Sequence, residues 1–301
     1  MMKTNWTEQD VPKQDGRIAI VTGANSGIGF ETARVLAARG ATVIMACRNP
    51  QRGQAAVKLL KDAHPDYLVE FIPLDLSSLE SIQAFASTFK SLYNRLDLLV
   101  NNAGVMVPPY SKTKEGFELQ FGTNHLGHFA LTGLLIELME NTENSRIVNV
   151  SSMAHKAGKL NFSDLNWESR SYKPWQAYGD SKIANLYFTF ELQRRLQENG
   201  HEIKVTAAHP GWTETGLQRN AGVTRFLNKF FAQKPQAGAW PTLMAAVDES
   251  ATGGEYYGPS GFMEMNGNPK KVSTNKLAQD KAIASKLWQV SEQATGVAYS
   301  I

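Results

Sequence analysis

Short apolar runs alternate with longer segments of helical spacing along most of this chain. "RIAIVTG" (17–23) is rich in branched residues and ends in glycine; "FETARVLAARG" (30–40) has helical spacing and a glycine stop; "ATVIMAC" (41–47) is apolar again. The alternation continues: "YLVEFIPLD", "LDLLVNNAG", "RIVNVSS" and "IKVTAAHPG" read as four more strands. "SLESIQAFASTFKSL", "FGTNHLGHFALTGLLIELME" and "QAYGDSKIANLYFTFELQRRLQ" read as helices between them. Strands apolar on both faces, alternating with helices, predict an α/β architecture: a doubly wound parallel sheet with helices on both faces. Such sheets bind ligands beyond the carboxyl ends of their strands, where strand order reverses. Functional motifs are therefore expected at strand ends.

The rest of the composition narrows the class. At 301 residues, with 42% hydrophobic and 20% charged, the chain can bury a substantial core as one domain, and nothing in it reads as a linker or a repeat. A net charge of +3 from scattered basic residues points to no nucleic-acid partner. One cysteine, Cys47, excludes an intramolecular disulfide and a multi-cysteine metal cage, and a reducing cytoplasm is the expected compartment. Residues 1–14 read as a polar tail without the apolar core of a signal peptide, and no later run is apolar enough to cross a bilayer.

"TGANSGIG" closes the first strand and opens the first helix, with Gly23, Gly27 and Gly29 at its turn. Glycines there permit a tight turn and close approach of the backbone to a pyrophosphate, while the helix N-terminus offers free N–H groups. A single-domain Rossmann fold that binds a dinucleotide is the expectation. The acidic residue that marks NAD specificity at the end of the second strand is replaced by Cys47, followed by Arg48, with Arg52 nearby. A guanidinium binds a 2′-phosphate through paired charged bonds, so NADP(H) is expected over NAD(H).

"YGDSK" sets Tyr178 four residues before Lys182, on one face of a helix, where a cation favours the phenolate and lowers the tyrosine pKa. "YSKTK", Tyr110 to Lys114, repeats the spacing but lies in a turn-rich stretch. With the glycine loop, "NNAG", "NVSS", "YGDSK" and "HPGWTET" in this order, residues 15–265 resemble the short-chain dehydrogenase/reductase family. "NHLGHF", "VNVSSMAH" and "YGDSKIANLYF" look most like its retinol-dehydrogenase-like and WW-domain-oxidoreductase-like branch.

The resemblance implies roles. Tyr178 matches the acid/base, Lys182 the residue that tunes it and bonds the nicotinamide ribose, Ser152 the one that bonds the substrate oxygen, and Asn124 the support of a water-linked proton relay. It implies Gly23, Ser26, Gly27 and Ile28 around the pyrophosphate, Arg48 at the 2′-phosphate, and Asp75 and Leu76 at adenine. Asn102, Ala103 and Gly104 fall on the ribose side; Pro210, Gly211 and Thr213 at the nicotinamide carboxamide. Asp75 has an alternative role as a cap, Asn102 as a strand-end clamp and Pro210–Gly211 as a plain turn. An apolar alcohol or carbonyl substrate is implied, and a homodimer or homotetramer is compatible with the family.

Two segments are candidates for the substrate pocket. One is the insert "KLNFSDLNWESRSYKPWQ" (159–176), with Phe162, Trp167, Tyr172 and Trp175, which reads equally as a surface excursion packed by its own aromatics. The other lies within 212–235, where Phe226, Leu227, Phe230 and Phe231 form an apolar stripe; core packing and a mobile lid are both open readings. A hydrolase triad of Ser152, His155 and Asp164 is disfavoured because no G-x-S-x-G occurs, and a metal at His125 and His128 because no third ligand follows by spacing. A nucleotide-sensing module and a light-driven tetrapyrrole reductase remain as alternatives.

Overall fold

The structure, a computed structural model, describes residues 5–140, 142–213 and 233–301. Eight strands form one sheet in the order β3-β2-β1-β4-β5-β6-β7-β8. They are β1 Ile18–Thr22, β2 Thr42–Cys47, β3 Val69–Pro73, β4 Leu98–Asn101, β5 Arg146–Val150, β6 Lys204–Ala208, β7 Tyr256–Pro259 and β8 Pro269–Lys271. All neighbours are parallel except β7 and β8, which form an antiparallel hairpin. The six strands expected from sequence are present; β7 and β8 are additional. Both are short, and β8, "PKK", has no apolar alternation to read.

The pleat explains the doubly apolar strands. Ala19, Val21, Val43 and Met45 face one core with helices α1 (Gly27–Ala38), α2 (Pro50–Ala63) and α8 (Pro235–Val247). Ile20, Ile44 and Ala46 face the other, against α3 (Leu79–Leu92), α5 (Gly127–Leu135), α7 (Pro174–Glu198) and α9 (Lys281–Thr295). Successive residues point to opposite faces, so a strand covered on both sides must be apolar throughout.

Two expectations need correction. The stretch read as a polar tail to residue 14 is packed from Trp6 onward: Trp6 and Val11 are 2% exposed and belong to the α1-side core. Thr7 caps the turn Glu8–Asp10, and Arg39 donates to the carbonyls of Glu8 and Gln9. Two apolar residues in a polar stretch carry no periodicity, so only tertiary contact reveals them. The helix read across 121–140 is segmented: α4 (Leu119–Phe121), a π-helical turn Gly122–Leu126, α5, and α6 (Glu137–Glu140). π-turns inside helices recur at functional sites, and Asn124 lies in this one.

Candidate active site

The sheet's order reverses between β1 and β4, and a cavity of about 470 Å³ opens at the carboxyl ends there. Gly23, Ser26, Gly27, Ile28 and Gly29 form one wall. Gly23 has φ +68°, and a Cβ on Gly29 would fall 2.5 Å from the Gly23 carbonyl oxygen, so the loop folds only with glycine here. Ser26 precedes α1 without a side-chain cap bond, which leaves the helix N-terminus facing the cavity. A narrow glycine cradle beneath a helix N-terminus fits a pyrophosphate.

Arg48 and Arg52 line the far end of the cavity beside Cys47, whose thiol burial pushes up to about 11 and keeps neutral. Asp75 and Leu76 line the same end. Asp75 also closes its own turn, accepting from the Ser77 N–H at 3.0 Å and the Ser77 hydroxyl at 2.6 Å, while the helix cap falls to Ser78. Asn102, Ala103 and Gly104 line the middle. The Asn102 amide donates to the Thr22 carbonyl at 2.7 Å, so it clamps β1 to the β4 exit as well.

A second cavity, of about 510 Å³, meets the first at Tyr178, Ser151, Ile28, Met106 and Pro210. Ser152, Gly211 and Thr213 line this one, with an apolar surround of Met153, Trp175, Trp212, Met263 and Met265. Ser152 comes to Tyr178 because two glycines let backbones touch. A Cβ on Gly158 would fall 2.4 Å from the Gly179 carbonyl oxygen, so the turn Met153–Ala157 lies directly on α7. Ser152 also caps that turn, its hydroxyl accepting from the Ala154 N–H at 3.2 Å.

Tyr178 and Lys182 share one face of α7, with the ammonium 5.6 Å from the ring centroid. The expected lowering of the phenol pKa is not what this arrangement gives. Burial pushes Tyr178 up to about 12, against an opposing hydrogen bond with Ser152, and burial pushes Lys182 down to about 8. The reason is that both groups are fully desolvated, and the ammonium bonds the Val150 carbonyl at 3.1 Å rather than the phenol. Tyr110, by contrast, is 41% exposed and bonds the Asn166 carbonyl, while Lys114 bonds Glu80: that pair is loop surface.

Asn124 lines neither cavity and sits behind Gly104. Its side chain accepts from the Val105 N–H at 2.8 Å and donates to the Val105 carbonyl and Ser181 hydroxyl, and its own carbonyl bonds His128 Nδ1 at 2.9 Å. His128 also bonds the Thr22 hydroxyl, which receives the N–H groups of Asn102 and Ala103. This network ties the glycine-loop strand, the β4 exit and the π-turn together. Burial holds His125 and His128 at about 3 and about 4, hence neutral. No group of three or more His, Cys, Asp or Glu side chains is placed to hold a metal among the described residues.

Of the insert, Trp175 is 49% exposed and lines the second cavity, whereas Trp167 is buried under Arg170 and Tyr172 bonds the buried Glu118 carboxylate at 2.7 Å. Asp164 accepts from Glu168 and Ser169 within the insert, away from Ser152. The stripe at Phe226–Phe231 lies outside the described residues. Sequence reading missed Ser151, Tyr256, His209 and Glu264. Ser151 sits under α7, donating to the Lys182 carbonyl at 2.8 Å; the other three cluster beside the second cavity. Only Ser151, next to Ser152, had a signal that could have found it.

Residues 17–225 match the short chain dehydrogenase family model. The chain belongs to that family. Over 94% of its length it is 41% identical to human retinol dehydrogenase 13 (85% of that protein covered) and to mouse retinol dehydrogenase 12 (87% covered), which puts it in the retinol-dehydrogenase-like branch. A crystal structure of an uncharacterised Mycobacterium paratuberculosis protein superposes with TM-score 0.85 at 42% identity, covering 99% of this chain and all of that one. A Shigella flexneri short chain dehydrogenase complexed with NADP superposes with TM-score 0.65 at 26% identity, covering 82% of this chain and 98% of that one. The chain is an oxidoreductase of a family that uses a nicotinamide cofactor. No helix among the described residues is long and apolar enough to cross a membrane.

Proposed function

We propose that this short-chain dehydrogenase is NADP(H)-dependent and interconverts an apolar alcohol with its aldehyde or ketone, with Tyr178 as the acid/base. The observation that carries the reading is the position of Tyr178, at the junction of a glycine-walled cavity and an apolar one. The bound nicotinamide supplies or accepts the hydride. This chain's residues then handle one proton and one oxygen. The Ser152 hydroxyl and the Tyr178 phenol converge on the mouth of the second cavity, where two donors stabilise charge developing on a substrate oxygen.

The protonation states match that work. At neutral pH Tyr178 holds its proton, so its resting form is the acid that carbonyl reduction needs. Alcohol oxidation needs the phenolate, the minor form at neutral pH, and the hydrogen bond with Ser152 is what opposes the burial that disfavours it. Arg48 and Arg52, with a neutral thiol where a carboxylate would repel phosphate, support NADP(H) over NAD(H). Substrate apolarity is supported by Met106, Met153, Met263 and Met265 around the second cavity, since methionines adapt to irregular apolar shapes, and by the names of the retinol dehydrogenase relatives.

The test is calorimetric titration with NADPH and NADH, followed by an NADPH-consumption screen over apolar aldehydes and ketones. Tighter NADPH binding with turnover of a carbonyl is the expected result. Tight binding with no turnover across the panel would move the reading to a nucleotide sensor, and equal affinity for both cofactors would remove the role of Arg48.

A further inference from the structure

Beside the second cavity, outside the Ser152–Tyr178–Lys182 group, one carboxylate joins three chain segments. Glu264 belongs to the loop of the β7–β8 hairpin. It accepts from His209 Nε2 at 2.8 Å and lies 3.8 Å from Lys156 Nζ. His209 leads from β6 to Pro210 and Gly211, Lys156 lies in the turn Met153–Ala157 after Ser152, and the hairpin loop carries Met263 and Met265. All three segments line the second cavity, yet Glu264 itself does not.

The loop it anchors is held in an unfavourable form. Met263 (φ 49°, ψ 28°) and Glu264 (φ 57°) are consecutive non-glycine residues in the left-handed region. Two such residues persist only where surrounding contacts over-determine them, and such strain gathers at binding sites. The contacts are present. The Met265 carbonyl accepts from the Trp212 N–H at 2.8 Å, and a Cβ on Gly211 would fall 2.4 Å from that oxygen. His209 is fully buried and its Nδ1 accepts from the Gly211 N–H, which leaves the Nε2 hydrogen for Glu264. A Cβ on Gly258 would land 2.0 Å from His209 Nε2, so the imidazole lies on a glycine of β7. The groups facing Glu264 are therefore His209, Lys156 and the buried His155. Of the loop's apolar side chains, Met263, 64% exposed, and Met265 line the cavity together with Trp175, while Phe262, 78% exposed, stands outside that lining.

We propose that Glu264 is a positioning and specificity-determining residue, which pins the strained turn at 262–265 onto His209 and so sets an apolar rim that grips elongated apolar alcohols and carbonyls. This rests on the second cavity being the substrate site. Short substrates reach Ser152 and Tyr178 without touching the rim; long ones lie along Met263, Met265 and Trp175.

The experiment compares wild type, Glu264→Ala and Glu264→Gln on unbranched aldehydes of increasing chain length with NADPH. Glu264→Ala is expected to raise KM for the longest aldehydes by about tenfold, the scale of one lost apolar contact, with kcat and short-chain KM within about twofold of wild type. Glu264→Gln keeps an acceptor for the His209 N–H and is expected to restore long-chain KM. An even rise in KM at all lengths, a fall in kcat alone, or no rescue by glutamine would overturn the proposal. If wild type turns over no carbonyl at all, the functional reading fails separately. The rim is then tested by amide hydrogen exchange across 260–268: faster exchange in Glu264→Ala than in Glu264→Gln supports the pin, and equal exchange overturns it.

Discussion

The two cavities share a wall at Tyr178 but are built by different means. The glycine-walled cavity is made of strand ends and the turns that leave them directly, so the sheet fixes its shape and sterics permit almost no variation: Gly23 and Gly29 touch backbone and Asn102. The apolar cavity is made of segments far apart in sequence, the turn Met153–Ala157, the start of α7, the β6 exit and the β7–β8 loop. Contacts between loops and helix, such as the side-chain bond of His209 to Glu264 and the backbone bond of the Trp212 N–H to the Met265 carbonyl, hold these together rather than sheet register. A site set by backbone sterics varies little; a site set by clamped loops can change its substrate while keeping its chemistry.

Several substitutions separate the two. The largest effect is expected at the shared wall: Tyr178→Phe should cut kcat by about a thousandfold while NADPH affinity changes little, because only the proton-carrying oxygen is lost. Steady-state rates beside calorimetric titration check this, and full activity would remove Tyr178 from the mechanism. Next, Gly29→Ala should act on the cofactor cavity alone. The added methyl meets backbone and forces a shift costing about 1–3 kcal/mol, so melting temperature and cofactor affinity should both fall. An unchanged melting curve would show the loop to be softer than its contacts imply.

Arg48→Asp should weaken NADPH by about ten- to a hundredfold, the worth of charged hydrogen bonds to one phosphate, and leave NADH nearly as before. Equal loss of both would discredit the phosphate role. The mildest effect is in pH. Neither Tyr178 at about 12 nor Lys182 at about 8 changes charge appreciably below neutrality, so carbonyl reduction should be flat from about pH 6 to about pH 7 on their account. Alcohol oxidation, which needs the phenolate, should climb with pH over the same range. A reduction rate that rises with pH would reverse the assigned proton direction.

The same contrast governs what could be read from letters. The strand-helix alternation, the glycine loop and "YGDSK" have local physical causes: doubly covered strands must be apolar, a tight turn against a helix N-terminus needs glycine, and i, i+4 residues share a helix face. Hence the six strands lie where the sequence predicts, the residues from Gly23 to Pro210 that it expects at a cofactor line one cavity, and Tyr178 and Lys182 share a helix face. The hairpin β7–β8 and its loop have no such cause. Glu264 is one acidic residue among many until folding sets it against His209 in a chain position 55 residues away. The raised pKa of Tyr178 belongs to the same category, because it depends on how much water the surrounding segments exclude.

By itself, then, the sequence determined the doubly wound sheet, the glycine turn that opens α1 and the shared face of Tyr178 and Lys182 on α7, since each follows from interactions within a few residues or from burial on both faces of a strand. Only the tertiary structure decided that Trp6 and Val11 are core, that Asn124 braces Val105 and Ser181 rather than facing the cavity, and that Trp175 of the insert lines the second cavity while Trp167 does not. Each of those depends on which distant backbone the side chain meets, and a one-dimensional pattern holds no distances between residues separated by a fold.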